Sequence, residues 1–134
     1  RTTVLDVEWD EHEDLSGPWP PAGGTGWEDK VREDVVIAFT GVELQAEDPE
    51  AAAALWSAVT GSPVERVGAS PGVRLNNASL RFVPPSDGRG PGLSAVDLQV
   101  RDVAAVVARA RARGLPVGAN RVEVCGVRFL LTGA

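Results

Sequence analysis

The sequence predicts an α+β fold built from two pseudo-symmetric βαβββ modules, and three observations carry that expectation. The phrase GVELQAEDPEAAA at residues 41–53 returns as AVDLQVRDVAAVV at residues 95–107. Each copy runs from an alternating, β-branched segment into an Asp and a helix-forming run, and short strand-like segments follow it. A single Pro/Gly-rich stretch, PPSDGRGPG at residues 84–92, separates the two copies. An internal repeat of this size implies that neither half buries its sheet alone.

The modules are expected over 36–84 and 92–134, behind an acidic arm at 1–35. In the arm, TTVLDVEW at residues 2–9 alternates as a strand does, and SGPWPPAGGTGWED reads as a loop. Trp19 and Trp27 suit a loop that packs down on something rather than a flexible tether. His12 lies among Asp10, Glu11, Glu13 and Asp14, but consecutive acids in a loop point in different directions, so the run reads as solvated rather than metal-binding.

In the first module, VVIAFTGVELQA predicts one strand, or two broken at Gly41. Asp48 caps a helix, Pro49 suits its first position, and Gly61 and Pro63 end it. Strands are expected at VERVGA, GVRLN and SLRFVP, the last two joined by a turn through Asn76 and Asn77. The second module repeats the order. LSAVDLQV is a strand, Asp102 a cap, and VAAVVARARAR a helix with Val103, Val106, Val107 and Ala110 inward and Arg109 and Arg113 outward, closed by Gly114. PVGA, RVEV and GVRFLL are expected to be its three closing strands.

Composition narrows the function. The chain has 134 residues, 43% of them hydrophobic, which is enough for one domain with a core. No apolar run reaches a bilayer-spanning length of about 20 residues, and no signal peptide is evident, so a cytoplasmic location is expected. One Cys and one His exclude an internal disulfide and multi-Cys or multi-His metal sites. Residues 1–35 carry a net charge of −7 and the rest +1, giving the formal −6. With no basic patch, nucleic acid is not an expected partner. The chain opens on Arg1 and contains no Met, so it is expected to be part of something longer.

The paired phrases GVELQAEDPEAAAALW and AVDLQVRDVAAVVARARARG, each followed by short strands, resemble the vicinal oxygen chelate superfamily of glyoxalase-like, bleomycin-resistance-like and extradiol dioxygenase proteins. The resemblance covers about residues 36–134. It implies that the two sheets curl into one cup with the helices outside. It also implies an upstream module: TTVLDVEW looks like that module's last strand, and its expected partner is either that module or a second copy of the chain, as in a dimer.

Strand alternation sends Val42, Leu44, Ala46, Val96, Leu98 and Val100 toward the helices. The cup then receives Gly41, Glu43, Gln45, Ala95, Asp97 and Gln99, and the closing strands turn Arg81 and Arg128 to the same side. Active members of the superfamily hold a divalent metal through a His or Gln in each first strand and a Glu in each last strand. The resemblance puts Gly41 and Ala95 at the first pair of positions and Val83 and Leu130 at the second, so no metal and no cofactor are expected. Two carboxylates facing two guanidinium groups are expected to neutralise each other.

The expected ligand-binding residues are therefore Glu43, Gln45, Asp97, Gln99, Arg81 and Arg128, with no catalytic residue assigned. Cys125 has no His partner for nucleophilic chemistry, Trp56 reads as helix-to-sheet packing, and GGTG lacks the context of a phosphate loop. The leading expectation is a glyoxalase-like module without the family's metal, binding a small molecule or serving a structural role. The alternatives are a metal-dependent lyase or isomerase whose ligands lie in an upstream module, and a pure interaction module that exchanges its arm.

Overall fold

The computed structural model describes residues 28–134 together with Gly24 and Gly26. The strand expected over residues 2–9, His12, and Trp19 and Trp27 of the loop lie outside the described residues. No described helix is long and apolar enough to cross a membrane.

The described chain is α+β. Its elements are β1 (Val36–Gln45), α1 (Pro49–Thr60), β2 (Val64–Val67), β3 (Ser70–Arg74), β4 (Ser79–Val83), β5 (Gly92–Val100), α2 (Val103–Ala112), β6 (Arg121–Val124) and β7 (Val127–Gly133). One sheet holds all seven strands in the order β2-β3-β4-β1-β5-β7-β6. At its centre β1 and β5 run antiparallel. Outward from β1 come β4, parallel, and β3, antiparallel; outward from β5 come β7, parallel, and β6, antiparallel. The two halves of the sheet therefore follow the same pairing rules.

The helices form where their caps allow. The Asp48 carboxylate accepts the Ala51 amide at 3.0 Å, and Gly61, at φ 72°, ends α1 by donating to the Ser57 carbonyl. Asp102 accepts from the Ala105 amide at 2.9 Å. After α2, Gly114 donates to Arg111 and Leu115 to Ala110, the paired bonds of a Schellman motif with Gly114 in the left-handed region at φ 74°.

Each helix covers its own half of the sheet. Leu44, Ala53, Val73, Leu80 and Phe82 form one buried cluster, with Val42 and Trp56 against it. The Trp56 and Phe82 rings lie 6.0 Å apart, so Trp56 packs helix to sheet as expected. Val100, Val107, Ala110, Val122 and Leu131 form the second cluster, joined by Leu98, Val103, Val106, Leu115 and Phe129. Burying each large side chain contributes roughly 1.5–3 kcal/mol.

Of the two alternatives for VVIAFTGVELQA, the single strand holds: β1 runs through Gly41, with register shifts against β5 between Val36 and Ala38, Phe39 and Gly41, and Glu43 and Leu44. One expectation needs correction. PVGA forms no strand. It contributes only an isolated bridge, Val117 to Val122, because Pro116 lacks an amide and the turn after α2 leaves little length for a ladder. The two-residue β6–β7 turn uses Cys125 and Gly126, both at positive φ (51° and 80°), as the mirror-image turn of a tight hairpin requires. Cys125 is exposed there.

Candidate functional site

The face of the sheet turned away from both helices carries two adjacent cross-strand rows that hold most of its charged residues. In the first row Arg81 stands opposite Glu43, Glu43 opposite Ala95, Ala95 opposite Arg128, and Arg128 opposite Glu123. In the second, Ser79 is opposite Gly41, Gly41 opposite Asp97, and Asp97 opposite Leu130. Alternation along five strands thus gathers acids and arginines on one concave surface.

The charged groups form one connected network. Arg81 grips Asp97 with both terminal nitrogens, Nη2 to Oδ1 at 3.0 Å and Nη1 to Oδ2, and gives Nε to Glu43 Oε2 at 3.2 Å. Glu43 Oε1 accepts the Ser94 hydroxyl at 2.7 Å and a longer contact from Arg128 Nη2 at 3.5 Å. Arg128 donates Nε to the Ser94 carbonyl at 3.1 Å and reaches Asp87 at 3.5 Å. Side chains of Arg81, Glu43 and Asp97 are only 15–17% exposed, so these pairs are poorly screened by water. Burial pushes the Arg81 guanidinium down, but the hydrogen bonds and charges of Asp97 and Glu43 outweigh it, and its pKa is raised.

The small residues in the rows have a geometric reason. A Cβ placed on Gly41 would lie 2.5 Å from the Ser79 carbonyl oxygen and 3.0 Å from Asp97 Oδ2. The missing side chain lets β1 sit close to β4 and lets the Asp97 carboxylate lean across β1 to Arg81. Ala95, fully buried, lies between Glu43 and Arg128 in the same manner. The ion pairs of the cup cross over Gly41 and Ala95.

Of the six residues expected to meet a ligand, the fold brings Glu43, Asp97, Arg81 and Arg128 together. Gln45 is 1% exposed and is occupied by the connection between the modules: its amide nitrogen donates to Asp87 at 2.9 Å, and its oxygen accepts the Ser86 amide at 2.6 Å. Gln99, half-buried, sits two positions beyond Asp97, opposite Thr132. Three participants were not singled out in the sequence. Ser94 is a fully buried hydroxyl serving Glu43, and Asp87 and Arg89 lie in a stretch whose Pro and Gly content signals only a connection. A buried Ser one residue before the repeated phrase carries no periodic signal. The Asp-Gly-Arg inside PPSDGRGPG was the one available clue.

Asp87 organises that connection. Its carboxylate is held well below the usual range by hydrogen bonds from Arg89 first and then Gln45, while Asp87 in turn raises the Arg89 guanidinium. A depressed carboxylate pKa contributes stability that is complete above its unfolded value of about 4 and is lost as pH falls through the lower folded value. Slow hydrogen exchange at the Ser86 amide is therefore expected to persist down to about pH 4, and Asp87→Asn is expected to accelerate exchange at Ser86 and Arg89 at neutral pH. Unchanged exchange in the variant would mean that Gln45 alone holds the connection.

Two open concavities flank the network. One, of about 470 Å³, is lined by Thr40, Arg74, Ser79, Arg81, Asp97 and the 130–132 segment of β7. The other, of about 320 Å³, is lined by Asp87, Arg89, Arg121, Glu123, Gly126 and Arg128.

Solved structures share this arrangement of the chain. Methylmalonyl-CoA epimerase from Mycobacterium tuberculosis superposes with a TM-score of 0.59 at 16% identity, covering 77% of this chain and 91% of that one. A Streptomyces coelicolor methylmalonyl-CoA epimerase variant in complex with 2-nitronate-propionyl-CoA gives 0.59 at 15% identity, covering 74% and 98%. A hypothetical protein from Bacillus halodurans gives 0.53 at 11% identity, covering 72% and 93%. At such identities the likeness is one of fold. No functionally curated protein matches the sequence. The profile described as "Glyoxalase-like domain" matches residues 41–125, spanning both copies of the repeated phrase together with Glu43, Arg81, Asp87 and Asp97 of the ion-paired face, and the chain belongs to that family.

Proposed function

We propose that this chain is a glyoxalase-like module that binds a small molecule on its ion-paired concave face without a divalent metal. The observation supporting this reading is that the Asp97–Arg81 bridge passes directly over Gly41. A catalytic metal needs several N or O donors converging with free lone pairs. Gly41 and Ala95 offer no side-chain donor, and a larger side chain at 41 would meet the Ser79 carbonyl oxygen. Both Asp97 oxygens are engaged by Arg81, and Glu43 is shared among Arg81, Ser94 and Arg128. The residues present do not fit the metal, and no reaction step is assigned to one.

A ligand on this face meets guanidinium groups and carboxylates already fixed by one another, which favours a polar molecule whose own groups can substitute for a bridge without leaving a charge buried alone. It would enter beside Glu43, Asp97 and Gln99, with Arg81 and Arg128 behind them, while Gln45 secures the connection above.

Elemental analysis after loading with nickel, zinc or iron and dialysis tests the reading. The expected result is far less than one equivalent retained. About one equivalent retained, and lost on Glu43→Ala, would overturn it in favour of a metal-dependent lyase or isomerase.

A further inference from the structure

The second concavity has a chemistry that the ion-paired centre does not share. Three arginines, Arg89, Arg121 and Arg128, line about 320 Å³ together with Asp87 and Glu123. Their engagement differs sharply. Arg89 is committed to Asp87 at 2.6 Å. Arg128 spends Nε on the Ser94 carbonyl, and its Nη2 makes only two long contacts, both 3.5 Å. Arg121 makes no side-chain ion pair or hydrogen bond among the described residues.

Placement is set by the strands. Arg121 and Glu123 alternate onto one face of β6, and Glu123 stands opposite Arg128 of β7. The connection between the modules arches across, so that Arg89 Nη1 comes within 3.8 Å of where a Cβ on Gly126 would lie. One wall is thus the β6–β7 hairpin and the other is the Asp87–Arg89 segment. The hollow holds three guanidinium groups against two carboxylates, an excess of one positive charge, although the chain as a whole carries −6. Asp87 and Glu123 offset two of the three positive charges, and the remaining excess, with the uncommitted N–H donors of Arg121, attracts an anion.

We infer that this hollow is a binding site for a small oxyanion-bearing molecule, held through its phosphate or carboxylate by Arg121 and Arg128 with Arg89 at the rim. Planar guanidinium donors match the paired oxygens of either group. Arg128 also contacts Glu43, so the hollow adjoins the ion-paired face described above. The inference rests on the reading of that face as a small-molecule site, and it adds the ligand's charge and its anchoring end.

Titration of the full chain with inorganic phosphate, and separately with succinate, followed by NMR of the arginine Nε–Hε groups, tests it. Saturating shifts are expected at Arg121 and Arg128 with at least one of the two anions, and the comparison decides which oxyanion is preferred. Arg121→Gln is expected to weaken that binding about tenfold, as loss of a charged hydrogen-bonding partner does. Arg109→Gln, on the exposed outer side of α2, is expected to leave it unchanged. Equal weakening by the two substitutions would reduce the effect to net charge and overturn the inference, as would shifts that never saturate. Saturating shifts at Arg81 with Arg121 unmoved would also overturn it, while leaving the metal-free reading of the central face intact.

Discussion

Arg81→Ala is expected to destabilise the domain by about 3 kcal/mol, the cost of leaving buried charges without their partner. The substitution strands Asp97, 17% exposed, and leaves Glu43, equally buried, with the Ser94 hydroxyl and the long contact from Arg128. Arg128 lies 3.5 Å from Glu43 and cannot replace the two-pronged grip on Asp97. The double change Arg81→Met with Asp97→Leu is expected to recover most of the loss, because Asp97 is removed with its partner and Glu43 keeps the Ser94 hydroxyl and Arg128. Denaturant midpoints of the wild type, the single variant and the double variant make the comparison. A single-variant loss under about 0.5 kcal/mol would identify the bridge as an ordinary screened surface pair.

Gly41→Ala should cost about 2 kcal/mol, within the range for forcing extra volume into a packed site. Two effects compete at this position. Removing a glycine's freedom from the unfolded chain stabilises by roughly 0.4–1 kcal/mol where the new side chain fits. Here it does not fit: the atom met at 2.5 Å is a backbone oxygen of β4, which cannot rotate aside, and the Asp97 carboxylate at 3.0 Å would have to retreat from Arg81. The steric term is the larger, so the sign is destabilising. A variant as stable as the wild type in equilibrium unfolding would show that β1 and β4 can separate freely, and would remove the steric argument against a side-chain ligand at residue 41.

Much of the architecture is legible in the sequence. The Asp48 and Asp102 caps, the inner stripe Val103, Val106, Val107 and Ala110, and the pairing of acids with Arg81 and Arg128 all follow from local rules, namely capping chemistry, helical period and strand alternation. Those rules act over a few residues, so a sequence displays them directly. They put Glu43 and Arg81 on one face without saying that the face is concave, or which carboxylate each guanidinium would choose.

The phrase repeated at 41–53 and 95–107 by itself determined that each half has a strand apolar toward its own helix and polar on the other side. Register decided the rest. Placing Gly41 opposite Asp97 and Ala95 opposite Glu43 depends on the antiparallel β1–β5 pair, whose shifts at three points no local pattern encodes. The fate of Gln45 depended on a contact 41 residues away with the Ser86 amide, and the arginine-lined hollow required the Asp87–Arg89 segment to fold over the β6–β7 hairpin. Contacts between distant segments are set by how the whole chain packs, and only the tertiary structure could choose among the partners that local chemistry permits.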